Sequence, residues 1–208
     1  MKRIFFILMI VIFSSSIYGQ LEQPTEKKLD SLKTKLETLF MEDQLFRRLY
    51  QDAEKKFGKD SDEMEYFWKV VEEQDKRIEI EFIKILEKYG WLGSNQVGRL
   101  ANGALFSIIQ HSSIETKEKY APLMKESVLR KESQPMHYAR LMDRMLVNDN
   151  KPQIYGSQTT NDKNGNAIFF EIEKPEFVNK RRKEINLDGI ESFAKERSIE
   201  WNITQKEK

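Results

Sequence analysis

The chain contains no cysteine, which excludes disulfides, thiol catalysis and the cysteine-linked lipid of a bacterial lipoprotein. Whatever stabilises the fold must come from a packed core. Histidine is almost missing as well: His111 and His137 are the only two, and neither stands in a His-x-x-x-His or Glu-x-x-His spacing. No dedicated transition-metal site is expected, and no cofactor is implied. Asp60, Asp62 and Glu63 are spaced loosely like calcium ligands, but the glycine and closing glutamate of such a loop are absent. No glycine-rich phosphate loop follows a strand. Charge of one sign is not in excess either, with 35 basic against 34 acidic residues. The basic run Lys180 to Lys183 is closed at once by Glu184. That balance argues against a general nucleic-acid or anionic-membrane binder.

Long apolar runs are limited to the N-terminus. Lys2 and Arg3 precede the apolar stretch Ile4 to Phe13, and Ser14 to Gly19 are mostly small or polar, the layout of a secretory signal peptide. The apolar stretch falls short of the roughly 20 residues that a bilayer span needs. Residues 1–19 are therefore expected to be cleaved between Gly19 and Gln20. Residues 20–208 are expected to form one exported domain, periplasmic or secreted, with no stable membrane span after signal removal and with unknown partners. No internal repeat, low-complexity tract or long linker divides it.

What the chain does contain is helical periodicity. From Lys27 to Phe57, Leu29, Leu32, Leu36, Leu39, Phe40, Phe46, Leu49 and Tyr50 recur at three and four, with a break expected near Met41 to Asp43. A second helix is expected from Glu63 to Tyr89, stopped by Gly90. Asp75 stands inside its apolar stripe, where a bare carboxylate is costly, so it needs a partner or a cavity. Val97 to Ile109 is apolar on nearly every side and carries the small residues Gly98, Ala101, Gly103 and Ala104, the pattern of a central helix. His111 follows on the line of Leu100, Ala104 and Ile108, which aims its ring inward.

Two more helices are expected, from Ile114 or Glu115 to Lys131 with Pro122 near its start, and from Pro135 to Asn148. The period then changes. Gln153 to Thr160 and Ala167 to Glu173 read as strands around the hairpin signal Asn164-Gly165. Short helices from about Glu176 to Glu184 and from Leu187 or Asp188 to Arg197 close the chain. The fold class is mainly α: a helical domain with one small β-hairpin in the C-terminal third.

Several polar residues exceed what a plain core needs. Asp143 lies on the apolar line of Met136, Ala139 and Leu146, from which it can orient His111 for acid–base work. Gln153 and Gln158 can donate and accept, Tyr155 offers a ring and a hydroxyl, and Arg144 suits a carboxylate or phosphate. Strand alternation would place Gln153 and Tyr155 on one face and Gln158 on the other. Asp75 and Asp43-Gln44 are the expected contributors from the long N-terminal helices. Ser107, Ser112 and Ser113 lie near His111, but none sits in a nucleophile elbow.

Three readings follow. In the first, the protein is an exported ligand-binding or interaction module, with Asp75, Arg144, Gln153, Tyr155 and Gln158 as binding residues. The alternative is a hydrolase-like envelope enzyme using His111 with Asp143. In the third, the polar residues are structural, and Asp143 or Asp75 pairs with Arg47, Arg77 or Arg144.

A series of short motifs permits a comparison. Gly90-Trp91, Val97-Gly98, Gln110-His111, Tyr138-Ala139 with Leu141 and Asp143-Arg144, and Tyr155-Gly156-Ser157-Gln158 follow one another in order. The series resembles an uncharacterised bacterial family with the pattern Gly-Trp-Pro, Val-Gly, Gln-His, Tyr-Ala-x-Leu-x-Asp-Arg and Tyr-Gly-Thr-Gln. The resemblance extends to Asp43-Gln44 with Arg47, to Asp75, and to Asn179-Lys180-Arg181-Arg182. Leu92 replaces the family's proline and Ser157 its threonine. No activity comes with that family.

Overall fold

The computed structural model describes residues 21–206. The expected signal segment and its cut lie outside the described residues. The described chain is mainly α-helical, with α1 at Glu26–Phe57, α2 at Asp62–Tyr89, α3 at Ser94–His111, α4 at Ile114–Leu129 and α5 at Pro135–Asn148. A two-stranded hairpin follows, β1 at Thr159–Asn161 and β2 at Ala167–Phe169, and then α6 at Val178–Glu184 and α7 at Ile190–Glu196. The hairpin is antiparallel, with Thr160 opposite Ile168. Among the described residues no helix is long and apolar enough to cross a membrane.

α1 and α2 form a long antiparallel pair because Gly58, at φ 89°, ends the first and Ser61 caps the second through Met64 N–H. α3 is the centre: it packs against α1, α2, α4 and α5. Its residues Ala101, Ala104, Leu105 and Ile109 are fully buried. Leu100, on the expected inward line, is 54% exposed, so that line begins at Ala104. The start of α3 is tied to the turn before α5. Ser133 Oγ accepts from Trp91 Nε1 (3.1 Å) and Asn102 Nδ2 (2.8 Å), and Asn102 also donates to the Leu92 carbonyl. This network fixes the Gly90-Trp91 corner.

Three local expectations differ from the structure. α1 runs unbroken through Met41 to Asp43. That stretch has neither proline nor glycine, and the inward Asp43 is satisfied by polar groups on α3. Pro122 lies inside α4, well past its first turn. The carbonyl that its missing N–H would have bonded belongs to the exposed Glu118, which water can reach. Residues 153–158 form no strand, because the hydrogen bonds a ladder would use go elsewhere: Asp143 takes three of their N–H groups.

Candidate functional site

The inward stripe of α1 runs Leu32, Leu36, Leu39 and then Asp43, all buried. One further step along the stripe thus delivers a carboxylate to the end of α3. Asp43 Oδ1 lies 2.7 Å from His111 Nδ1. Its Oδ2 accepts from Ser107 Oγ at 2.8 Å and from Gln44 Nε2 at 2.7 Å. Gln44 Nε2 also reaches Ser107 Oγ at 3.0 Å. Beyond this core, Arg47 places Nε 3.5 Å from Asp43 Oδ1 and donates from Nη2 to both oxygens of Asp75 at 2.6 and 2.5 Å. α1, α2 and α3 therefore meet in one polar cluster.

Burial pushes the Asp43 carboxyl up, but the hydrogen bond and charge of His111, with Gln44 and Ser107, bring it below the usual value. Asp75 shifts the other way. Burial lifts it above the usual value against the pull of Arg47. The side chains of His111, Arg47 and Asp75 are each 20% exposed, and that of Asp43 is 1% exposed. The cluster has a buried floor and an open rim. With Nδ1 bonded to the carboxylate, the neutral ring carries its proton there and keeps a free lone pair on Nε2. Nε2 has no hydrogen-bond partner among the described residues.

The three nearby serines already have their hydroxyl protons engaged. Ser107 donates to Asp43, Ser112 to the Ile108 carbonyl at 3.0 Å, and Ser113 to Glu79 at 2.8 Å. Ser113 also caps α4 through Thr116 N–H. None is poised as a nucleophile toward His111.

His111 and Asp143 are not brought together. Asp143 Oδ1 accepts from the backbone N–H groups of Ile154 and Tyr155, each at 2.9 Å, and Oδ2 from that of Ser157 at 2.8 Å. Burial pushes its carboxyl above the usual value, and the three N–H bonds restrain the rise. From the other side, Arg181 Nε donates to the Ile154 carbonyl (2.6 Å) and Arg182 Nη1 to the Tyr155 carbonyl (2.7 Å). Arg182 is itself buried, which pulls its guanidinium down to about 10.

The expected binding residues divide accordingly. Gln153 is wholly buried, donating to the Gln158 and Phe170 carbonyls and accepting from Gln158 N–H at 2.8 Å. Tyr155 packs against Tyr138 with ring centroids 6.1 Å apart. Gly156, at φ 68°, turns the loop between these anchors, where an added Cβ would meet Ile190 at 2.5 Å. Gln153, Tyr155, Gln158 and Asp143 thus belong to one backbone clamp, His111 and Asp75 to the Asp43 cluster, and the exposed Arg144 to neither. Sequence reasoning named Asp43 but missed its pairing with His111. The available signal was the regular step Leu32, Leu36, Leu39, Asp43.

Among the described residues no three His, Asp or Glu side chains gather closely enough to hold a metal ion. No curated protein and no solved structure matches the chain. One family model, described as a family of unknown function, matches residues 31–203, a span that holds both the Asp43 cluster and the Asp143 clamp. The chain belongs to that family of unknown function, DUF6624.

Proposed function

We propose that this is an exported ligand-binding module whose recognition centre is His111, held by Asp43. One observation carries the reading: the ring is fixed at Nδ1 by a buried carboxylate, while its opposite nitrogen, at the open rim, has no partner. A side chain pre-oriented in this way loses little freedom when it takes a hydrogen bond from a ligand. The engaged serines favour binding over nucleophilic chemistry.

The test is a thermal-shift panel of muropeptide, oligosaccharide and dipeptide fragments against wild type and His111→Asn. A compound at about 100 times its Kd adds about 2.7 kcal/mol. For a domain of this size that raises the melting temperature by roughly 5 to 10 °C. The rise should be absent in the variant. A panel that never shifts the wild type, or shifts both proteins equally, refutes the reading.

The Asp43 carboxylate favours a second reading. Held ionised against Nδ1, it stabilises the imidazolium that forms when Nε2 takes a proton from a bound ligand or water. That reading requires product formation, lost in His111→Ala with the circular dichroism unchanged. Binding without turnover leaves the first.

A further inference from the structure

The outer ends of α1 and α2 carry more apolar surface than a pair of helices can bury. α1 meets the end of α3 at Asp43, where His111 stands, and runs on to Phe57, about 21 Å further at 1.5 Å per residue. Its packing partners are α2 and α3, and α3 stops at His111. The rest is an arm. No residue of α1 past Asp43 is buried, and between Asp62 and Asp75 α2 buries only Met64 and Val71. Yet Phe46, Leu49 and Tyr50 continue the apolar period of α1 along this arm.

The uncovered residues are contiguous. Phe46 and Phe67 meet edge to face with ring centroids 5.9 Å apart, Phe67 and Trp68 at 5.3 Å, and Tyr50 and Trp68 lie 5.2 Å apart. On one side of the arm Phe46, Phe57, Tyr66, Phe67 and Val70 line an open groove of about 520 Å³. Tyr66 is 67% exposed and Phe57 44%. Single exposed apolar residues need no explanation, but a continuous patch of them marks an interaction surface.

The charges beside the groove say what covers it. Lys55 and Lys56 stand in the last turn of α1, and Lys56 Nζ lies 4.9 Å from the centroid of the Phe57 ring. Asp62 and Glu63 begin α2 and line the groove themselves. Each suits the dipole of its own helix end, and none of the four makes an ion pair among the described residues. A partner of one sign would match one edge of the groove and be repelled by the other. A second copy related by a two-fold axis satisfies both, because its basic α1 edge falls on this acidic α2 edge and the reverse.

We propose that this groove is the contact through which two copies of the chain pair, arm against arm, with Phe57 and Tyr66 as anchors and the Lys56 and Glu63 edges setting the two-fold register. Burial of the aromatic side chains supplies the affinity, and the crossed charges supply the specificity. The contact uses no group of the Asp43 cluster and stands whether or not the His111 reading does.

The experiment is sedimentation velocity of the purified protein over a range of concentrations. The expected result is a monomer–dimer equilibrium, weakened about tenfold or more in each of Phe57→Ser and Tyr66→Ser. Both positions are exposed, so the circular dichroism should stay unchanged. Leu100→Ser, at an exposed leucine of α3, should leave the equilibrium as it is. Lys56→Glu and Glu63→Lys should each weaken pairing alone, because each sets like charges across the two-fold contact. A mixture of those two variants should pair better than either, since every crossed contact is then of opposite sign. A protein monomeric at every concentration, a dimer indifferent to Phe57 and Tyr66, or a mixture no better than its components would overturn the proposal. So would a monomer that binds phosphatidylglycerol vesicles through Phe57 and Tyr66, which would make the groove a membrane contact.

Discussion

Asp43 and Asp143 make the instructive comparison. Each is an aspartate on the apolar face of a helix, each is nearly or wholly buried, and each has both oxygens occupied. Their partners differ. Asp143 is bonded to the backbone of a loop that would otherwise leave three buried N–H groups unpaired, so its work is complete once the chain has folded. Asp43 is bonded to side chains, one of which, His111, has an open edge. A buried carboxylate that organises backbone has its role inside the fold, whereas one that organises a partly exposed imidazole leaves a polar edge facing solvent.

The largest expected effect tests the first half of that contrast. Asp143→Ala leaves the N–H groups of Ile154, Tyr155 and Ser157 without their acceptor, each costing roughly 1 to 3 kcal/mol when it stays buried. A loss of about 4 kcal/mol or more is expected, a large share of the roughly 5 to 15 kcal/mol that holds a typical domain. Urea unfolding followed by circular dichroism measures it. A loss under about 1 kcal/mol would mean that the loop finds other partners and that Asp143 is free for another role.

The contrast also explains which parts of the molecule were legible in the sequence. Helix periodicity, the Gly58 and Gly90 stops and the Asn164-Gly165 turn are local signals, and they marked out α1, α2, α3, α5 and the hairpin. Residues 153–158 alternate like a strand, yet their amides go to a carboxylate 11 to 14 positions earlier in the chain. No local pattern reports that. The His111 partner is harder still, because Asp43 lies 68 positions away. Asp143 was the more conspicuous candidate because it lies on the apolar line of Met136, Ala139 and Leu146. The resemblance named Asp43, Arg47 and Asp75 as motif positions, and the fold supplied what joins them.

A smaller effect, set by pH, separates the Asp43 cluster from another buried titratable group. Burial, helped by the charge of Arg140, holds His137 at about 4 against an ordinary 6.5. Its folded value is depressed, so the unfolded chain binds the proton first and stability falls as pH drops from about 6.5 toward 4. The loss should be about 3 kcal/mol at most. His137→Phe should flatten this window at little cost, because His137 Nδ1 is buried without a hydrogen-bond partner and the ring's main contact is the stack on Phe106. Asp43 acts lower. Its contribution is complete above the ordinary 3.8 and is lost as pH falls through its depressed folded value. Denaturant midpoints of wild type, His137→Phe and Asp43→Asn between pH 7 and 3 should resolve two windows. A single window removed entirely by Asp43→Asn would contradict this division.

The smallest expected change in stability is the one that bears most directly on the site. Asp43→Asn keeps an oxygen that can accept from His111 Nδ1 but removes the charge, and it should cost roughly 1 to 2 kcal/mol. The sharper readout is the Nδ1 proton itself, which in a 2.7 Å bond to a buried carboxylate should be visible by NMR and slow to exchange. In Asp43→Asn the resonance should move upfield and exchange faster, and in Asp43→Ala it should vanish. Asp143→Asn, which retains an oxygen for the loop amides, should leave it in place. If the resonance instead follows position 143, the two aspartates have exchanged roles and the recognition centre is misplaced. If it follows position 43 alone, Asp43 is the group that fixes the ring at Nδ1, as the proposed recognition centre requires.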